Sequence, residues 1–283
     1  EQMTYYEALK YLARKYNIEV VEKELTSEEK QQQSDRESML ILNEYACNYF
    51  TKRLHTNLDG KSVGLTYFKE MGERKDIIKF GNRLVETDLT KGTGGNLSVY
   101  DRETGYMAIT PSSIPFDEIQ EEDIVIMNLD GSVVEGEKLP SSEWYMHALQ
   151  YQKREDIDAV IHAHTTFATV IAILREDLPA AHYMVAVAGP NVRCAEYATY
   201  GTRELAENAA KAMVDRNAVI LANHGILAGS FNLENAFNIV EEIEYVSKLY
   251  LIARSVGNPV ILDDDEMALM KEKFKTYGRR IEQ

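Results

Sequence analysis

Val160-Ile161-His162-Ala163-His164-Thr165-Thr166 carries the sharpest local signal in the chain. If Val160–His164 is a strand, its side chains alternate between two faces, so His162 and His164 point the same way. Two imidazoles on one face of a strand make a bidentate grip for a metal ion. A third histidine, His224 in Leu221-Ala222-Asn223-His224-Gly225, follows an apolar run and precedes a glycine. That places it at a strand end beside a tight turn. Three neutral imidazoles with one position left open describe a catalytic zinc site rather than a closed structural one. The remaining histidines read as packing or surface: His55 as a solvated helical residue, His147 on a helix face, His182 at the start of a strand.

Two further stretches surround this set. Leu139-Pro140-Ser141-Ser142-Glu143-Trp144 reads as the start of a helix with a serine at its N-cap. Glu143 then falls in the first turn, where the helix dipole and any nearby cation favour the ionised form. Such a carboxylate can ligate a metal, act as a general base or merely serve the helix start, and the residues alone leave these open. Lys91-Gly92-Thr93-Gly94-Gly95-Asn96-Leu97-Ser98 is a glycine-rich loop of the kind that lets backbone N–H groups converge on an anion. Hydroxyls at Thr110, Ser112 and Ser113, and again at Ser141 and Ser142, add donors without a cluster of Lys or Arg. Together these loops suggest a phosphate pocket.

Working outward, β-type runs appear at Leu97–Tyr100, Tyr106–Thr110, Ile124–Leu129, Ser132–Val134, Ala159–His164, Tyr183–Val187, Ala218–Ala222 and Ile226–Gly229. Hairpin turns join the early ones. Helical patterns fall at 142–154, 202–216, 233–255 and 265–275, and an amphipathic helix through Ile77, Leu84 and Asp88 precedes the glycine-rich loop. Hairpins alternating with helices predict an α/β fold, with α/β/α layers around a mixed, mostly antiparallel sheet. No GxGxxG or Walker loop supports a dinucleotide or NTP fold. Residues 1–70 read differently, as a small all-helical segment with helices at Tyr5–Tyr16, Ser27 to about Leu54 and Ser62–Met71. Met39, Leu42, Tyr45, Ala46, Tyr49 and Phe50 recur there at spacings of three and four, on one helical face. The expected domains are therefore 1–70 and 71–283.

Composition sets limits. Hydrophobic residues make up 45% and charged residues 27% of the 283, which suits a globular protein with a sizeable core. Nothing reads as a membrane span or as a signal peptide. Cys47 and Cys194 stand apart without metal-ligand neighbours, as two buried free thiols in a reducing cytoplasm would. Residues 1–70 hold 10 basic and 12 acidic side chains, leaving 21 and 34 for the rest, so neither part has the basic footprint of a nucleic-acid binder.

Several stretches carry a specific resemblance. Gly92–Ser98, Ile109–Ile119, Glu135–Trp144, Val160–Leu174, Leu178–Pro190, Tyr197–Glu207, Leu221–Ala228 and Lys273–Glu282 resemble, in register from about residue 73 to the end, the class II aldolase/adducin family. Within it, His182–Gly189 and the Lys273–Gly278 tail are most similar to the branch that acts on L-fuculose 1-phosphate. The resemblance implies zinc held by His162, His164 and His224 with Glu143 as fourth ligand. It also implies that Glu143 leaves the metal to become the base, while the metal stabilises an enediolate. By the same resemblance the substrate phosphate sits among Thr93, Gly95, Asn96, Ser112, Ser113, Ser141 and Ser142. Tyr183 resembles a tyrosine that reaches a neighbouring subunit's site, and Tyr277 a tail tyrosine that closes over the pocket. A homotetramer cleaving L-fuculose 1-phosphate to dihydroxyacetone phosphate and L-lactaldehyde is thus expected.

The chain departs from that branch at Ser112-Ser113, where Thr-Gly is usual. Pentulose-phosphate 4-epimerases of the family carry Asp where Glu143 stands, which weighs against an epimerase. The family also includes dehydratases and non-catalytic adducin-like modules, and the intact His162, His164, His224 and Glu143 speak against the latter. Tyr5–Val20, Ser34–Phe50 and Gly64–Gly72 resemble instead the helical stretch of bacterial replicative primases. No primase zinc ligands or acidic cluster accompany them, so priming is not implied.

Overall fold

The structure, a computed structural model, describes residues 66–276 together with Met39, Leu42, Asn43, Tyr45, Ala46 and Tyr49. The chain divides into two compact units, Glu1–Leu65 and Thr66–Gln283. In the first, the six described positions are helical, and Tyr45 and Tyr49 stack with centroids 6.4 Å apart. The other expectations for residues 1–65, among them the primase-like pattern, Cys47 and His55, lie outside the described residues, and so does Tyr277.

The second unit opens with α1 (Thr66–Glu86), one helix running through residue 71. Ile77, Phe80 and Leu84 recur at three and four and are buried. Asp88 ends it in the left-handed conformation (φ 58°), with Leu89 N–H donating to Leu84 O and Asp88 N–H to Val85 O. That is a Schellman closure, and it turns the chain into the glycine-rich loop.

Eight strands follow: β1 (Asn96–Asp101), β2 (Tyr106–Ile109), β3 (Val125–Asn128), β4 (Val133–Glu135), β5 (Ala159–Ala163), β6 (Arg193–Ala195), β7 (Ala218–Leu221) and β8 (Gly225–Ser230). They form one sheet in the order β4-β3-β2-β1-β5-β8-β7-β6. Every neighbouring pair is antiparallel except β6 with β7. Between the strands run α2 (Trp144–Lys153), α3 (Thr166–Leu174) and α4 (Arg203–Ala212), and after β8 come α5 (Leu233–Val256) and α6 (Asp264–Thr276).

The alternation of β5 shows how the layers arise. Ala159, Ile161 and Ala163 join the core that Ile77, Phe80, Phe237 and Val240 build from α1 and α5. Val160 joins the opposite core, with Met146 and Leu149 of α2 and Leu205 of α4. The sheet is therefore covered on both faces, in the α/β/α arrangement expected. By the same alternation His162 projects to the α2/α4 face.

One local expectation needs correcting, and two elements go unmarked in the sequence. Tyr183–Val187 is a 3₁₀ helix rather than a strand, closed by Val185 N–H to His182 O and Ala188 N–H to Val185 O. Its Val185 and Ala186 are buried consecutively, and an unbroken apolar run gives no period from which to tell the two structures apart. The edge of the sheet is taken instead by β6, too short and polar to register as a strand. α3 leaves no helical signal either, because Thr166–Leu174 is apolar on all sides and has no amphipathic period.

Gly95 joins the glycine-rich loop to the central strands. Its φ is +88°, and a Cβ there would meet His162 O at 2.4 Å. Asn96 thereby lies directly across from His162 in the β1–β5 ladder. Gly95→Ala is expected to destabilise the fold by at least about 1–3 kcal/mol from backbone strain. The shift of the urea midpoint measures it, and a midpoint matching the parent's would contradict this close approach.

Candidate metal centre and active site

Three imidazoles meet at the end of β5. His162 is fully buried, and its Nδ1–H donates to Ile226 O on β8 at 2.9 Å. A carbonyl can only accept, so Nδ1 carries the proton and Nε2 is left bare. His164, one residue beyond β5, puts its Nε2 3.0 Å from His162 Nε2. His224 sits in the β7–β8 turn after Asn223, which is left-handed at φ 55°. Its ring centroid is 4.7 Å from that of His162 and 5.0 Å from that of His164. Gly225 permits this crowding, since a Cβ there would meet Ala163 O at 2.4 Å. The carboxylate of Glu244, on α5, accepts the N–H groups of Phe167 and Ala168, which fixes the start of α3 just after His164.

Glu143 enters from the opposite side. It occupies the N-cap of α2 rather than the first turn, and Ser141 Oγ accepts its N–H at 3.3 Å. Its Oε2 accepts from Asn96 Nδ2 at 2.9 Å and lies 3.4 Å from His162 Nε2. Its Oε1 is 3.6 Å from His224 Nε2 and, though buried, has no hydrogen-bond partner. Burial works to raise the Glu143 carboxyl, but His162, His224 and the Asn96 amide outweigh it and hold it below the usual carboxylate value. Burial lowers His162 to about 3, and burial together with His224 lowers His164. The bare Nε2 of His162 and the carboxylate of Glu143, whose Oε1 is unpartnered, thus face one another, an arrangement that repels itself unless a cation stands between.

The three histidines offer ligand atoms within 4.8 Å of one another, and with Glu143 they fit a metal ion. Two ligands at about 2.0–2.2 Å around a tetrahedral ion lie roughly 3.4 Å apart, close to the separations seen here. Expected metal content is one divalent ion per chain, and His162→Ala is expected to lose it. Elemental analysis of the purified proteins checks this, and an equally loaded variant would refute the ligand set.

A cavity of about 410 Å³ opens over this centre. Its wall brings together Thr93, Gly95, Asn96, Ser112, Ser113, Ser141, Ser142, Glu143, His164 and His224, with His162 buried beneath. Pro111 and Pro140 bridge to bring the two serine loops side by side. The backbone N–H groups of Ser112 and Ser141 are already spent on Leu139 O and Thr110 O, so these residues offer an anion their hydroxyls. Asn96 commits its amide to Glu143 and His147. Thr110 is buried, and its hydroxyl holds Leu97 N–H.

Tyr183 lies elsewhere, half exposed in a separate groove against Phe274. Tyr197, Tyr200 and Asn223 also line the cavity; the sequence holds them inside the resembling stretches Tyr197–Glu207 and Leu221–Ala228 but gives them no role of their own. His147 is fully buried beside the site rather than merely on a helix face, and its spacing of four from Glu143 is the signal that could have found it.

Residues 75–251 match the family described as Class II Aldolase and Adducin N-terminal domain. A 5-deoxy-D-ribulose 1-phosphate aldolase of Bacillus thuringiensis serovar kurstaki is 50% identical over 208 residues, covering 74% of this chain and 98% of the relative. An L-fuculose phosphate aldolase of Escherichia coli K12 is 44% identical over 211 residues, covering 74% and 97%. A solved L-fuculose 1-phosphate aldolase superposes with a TM-score of 0.71 at 70% identity, covering 72% of this chain and 96% of that one.

Proposed function

The chain belongs to the class II aldolase and adducin family and is a metal-dependent carbon–carbon lyase, and on that premise we propose that it cleaves a ketose 1-phosphate between C3 and C4. The substrate we favour is L-fuculose 1-phosphate, giving dihydroxyacetone phosphate and L-lactaldehyde. The observation that carries the reading is the buried, unpartnered Glu143 Oε1 beside the three imidazoles, on a residue that lines the cavity.

A zinc ion held by His162, His164, His224 and Glu143 supplies Lewis-acid polarisation of the substrate's carbonyl and hydroxyl oxygens. The hydroxyls of Thr93, Ser112, Ser113, Ser141 and Ser142, with the backbone at Gly95 and Asn96, receive the phosphate and set the distance to C3. In the synthetic direction the ionised Glu143 removes a proton from C3; in cleavage the C4 hydroxyl gives up its proton as C3–C4 breaks, and Glu143, once it has taken up a proton, delivers it to C3. Asn96 holds one carboxylate oxygen and leaves the other free for that task. Tyr183 stands outside the cavity, so its role at the aldehyde oxygen is at the site of a neighbouring copy, with Tyr277 closing over the pocket. Exposed apolar side chains on α3, Val170, Ile173 and Leu174, support assembly, which we take to be a homotetramer in the cytoplasm. No helix among the described residues is long and apolar enough to cross a membrane.

A second substrate has its own support. The Bacillus relative is named for 5-deoxy-D-ribulose 1-phosphate, which shares the dihydroxyacetone phosphate half and differs only in the aldehyde released. The Bacillus and Escherichia coli relatives are both named as aldolases, which favours this reading over an epimerase or dehydratase, and the buried Glu143 beside three imidazoles speaks against a non-catalytic module.

Release of dihydroxyacetone phosphate from both ketose 1-phosphates, measured side by side, tests the proposal. Glu143→Gln is expected to keep substrate binding and lose about 10²–10⁴ in turnover; an unchanged turnover number would reduce Glu143 to a residue of the helix start. We further propose that residues 1–70 form a separate domain of primase-like helices, dispensable for this chemistry. A chain beginning at Thr66, which keeps α1 whole, is expected to cleave substrate at close to the full-length rate. A soluble, metal-loaded but inactive truncation would show that the first unit contributes to the site.

A further inference from the structure

Behind Glu143 two rows of buried side chains mesh. Glu143, His147 and Tyr151 stand four residues apart along α2, and Asn96 and Ser98 two apart along β1. Four residues of helix rise about 6.0 Å and two of strand about 6.6 Å. Helix and strand side chains therefore alternate along one line. Asn96 Nδ2 lies 2.9 Å from Glu143 Oε2, and Asn96 Oδ1 lies 2.5 Å from His147 Nε2. His147 Nδ1 is 2.7 Å from Ser98 Oγ, which is 2.6 Å from the Tyr151 hydroxyl. No member is more than 7% exposed.

The chemistry of the first link dictates every other. An ionised Glu143 only accepts, so Asn96 turns its NH₂ toward it and its carbonyl toward His147. That carbonyl needs a donor, so His147 carries its proton on Nε2. Nδ1 is then an acceptor and takes the Ser98 hydroxyl, whose oxygen accepts from Tyr151. All the donors point one way, toward the carboxylate, and links so aligned polarise one another. An asparagine amide can rotate by half a turn, which would set Oδ1 against Glu143 and release it. The Nε2–H of His147 opposes that flip.

We propose that His147 is a positioning residue for the aldol reaction, fixing the Asn96 amide so that Glu143 is held by Oε2 and presents Oε1 to the substrate. The proposal rests on the reading of Glu143 as the proton carrier. Ser98 and Tyr151 hold His147 in the tautomer this requires.

The test measures dihydroxyacetone phosphate release from L-fuculose 1-phosphate and 5-deoxy-D-ribulose 1-phosphate by metal-loaded, full-length protein. His147→Leu is expected to lower kcat about 10- to 100-fold, the usual cost of losing a partner that orients an active-site group, with KM and bound metal near the parent's. His147→Gln, which can still donate an N–H to Asn96, is expected to recover most of that loss. In a Glu143→Gln background, His147→Leu is expected to add nothing, because it acts through Glu143. Parental kcat in a folded His147→Leu, or the same fold-loss in both backgrounds, would overturn the proposal. A slow Glu143→Gln beside a parental His147→Leu overturns it alone, whereas Glu143→Gln at parental turnover overturns the reading of Glu143 and this proposal together. If His147→Leu does not fold, Ser98→Ala carries the same test. It frees the imidazole from its tautomer and is expected to cost about tenfold in kcat, and parental kcat there would overturn the proposal.

Discussion

Lone pairs forced to face one another are the constraint on which this structure depends. The bare Nε2 of His162 lies 3.4 Å from Glu143 Oε2, and Glu143 Oε1 is buried without a hydrogen-bond partner. Left alone they repel, so the surrounding fold must hold them, and a cation relieves them. The backbone supplies that hold. Ile226 O fixes the His162 ring, Gly95 and Gly225 let neighbouring chain approach closely, and Glu244 anchors the segment just past His164. The site is rigid because β5 is central, paired with β1 on one side and β8 on the other. Each of those strands carries or positions a functional side chain.

Charge follows the same plan. The cavity wall holds no Lys or Arg among the described residues, and Thr93, Ser112, Ser113, Ser141 and Ser142 bring hydroxyl-bearing side chains to it. Burial keeps His162 neutral down to about pH 3, as a ligand must be. Glu143 stays ionised despite its burial, since the Asn96 donor favours the charged form and a bound cation would favour it further.

Much of this is legible in the sequence, for identifiable reasons. The period-two spacing of His162 and His164 gives their common face once Val160–Ile161 is read as strand. The hairpin turns give the antiparallel character of the sheet. The serine and glycine loops do gather on one cavity, although Ser112 and Ser141 reach it with hydroxyls rather than N–H groups. Illegible parts are those without a period: α3 is apolar on every side, Tyr183–Val187 is an unbroken apolar run, and β6 is three residues long. His147 is marked only by its spacing of four from Glu143, which assigns it no role until its strand partners are known. Its meaning emerges only when Asn96 and Ser98 are seen to fill the gaps between Glu143, His147 and Tyr151.

The central claim is that Glu143 moves a carbon-bound proton at a metal-loaded site. The most direct measurement omits the aldehyde altogether. The protein is incubated with dihydroxyacetone phosphate in D₂O, and loss of the C3 proton signal is followed by NMR. Metal-loaded parent is expected to exchange one of the two C3 hydrogens stereospecifically, and chelator-treated protein to exchange neither. Glu143→Gln, still loaded, should be slower by about 10²–10⁴. Exchange by loaded Glu143→Gln at the parental rate, or by protein stripped of metal, would contradict the account.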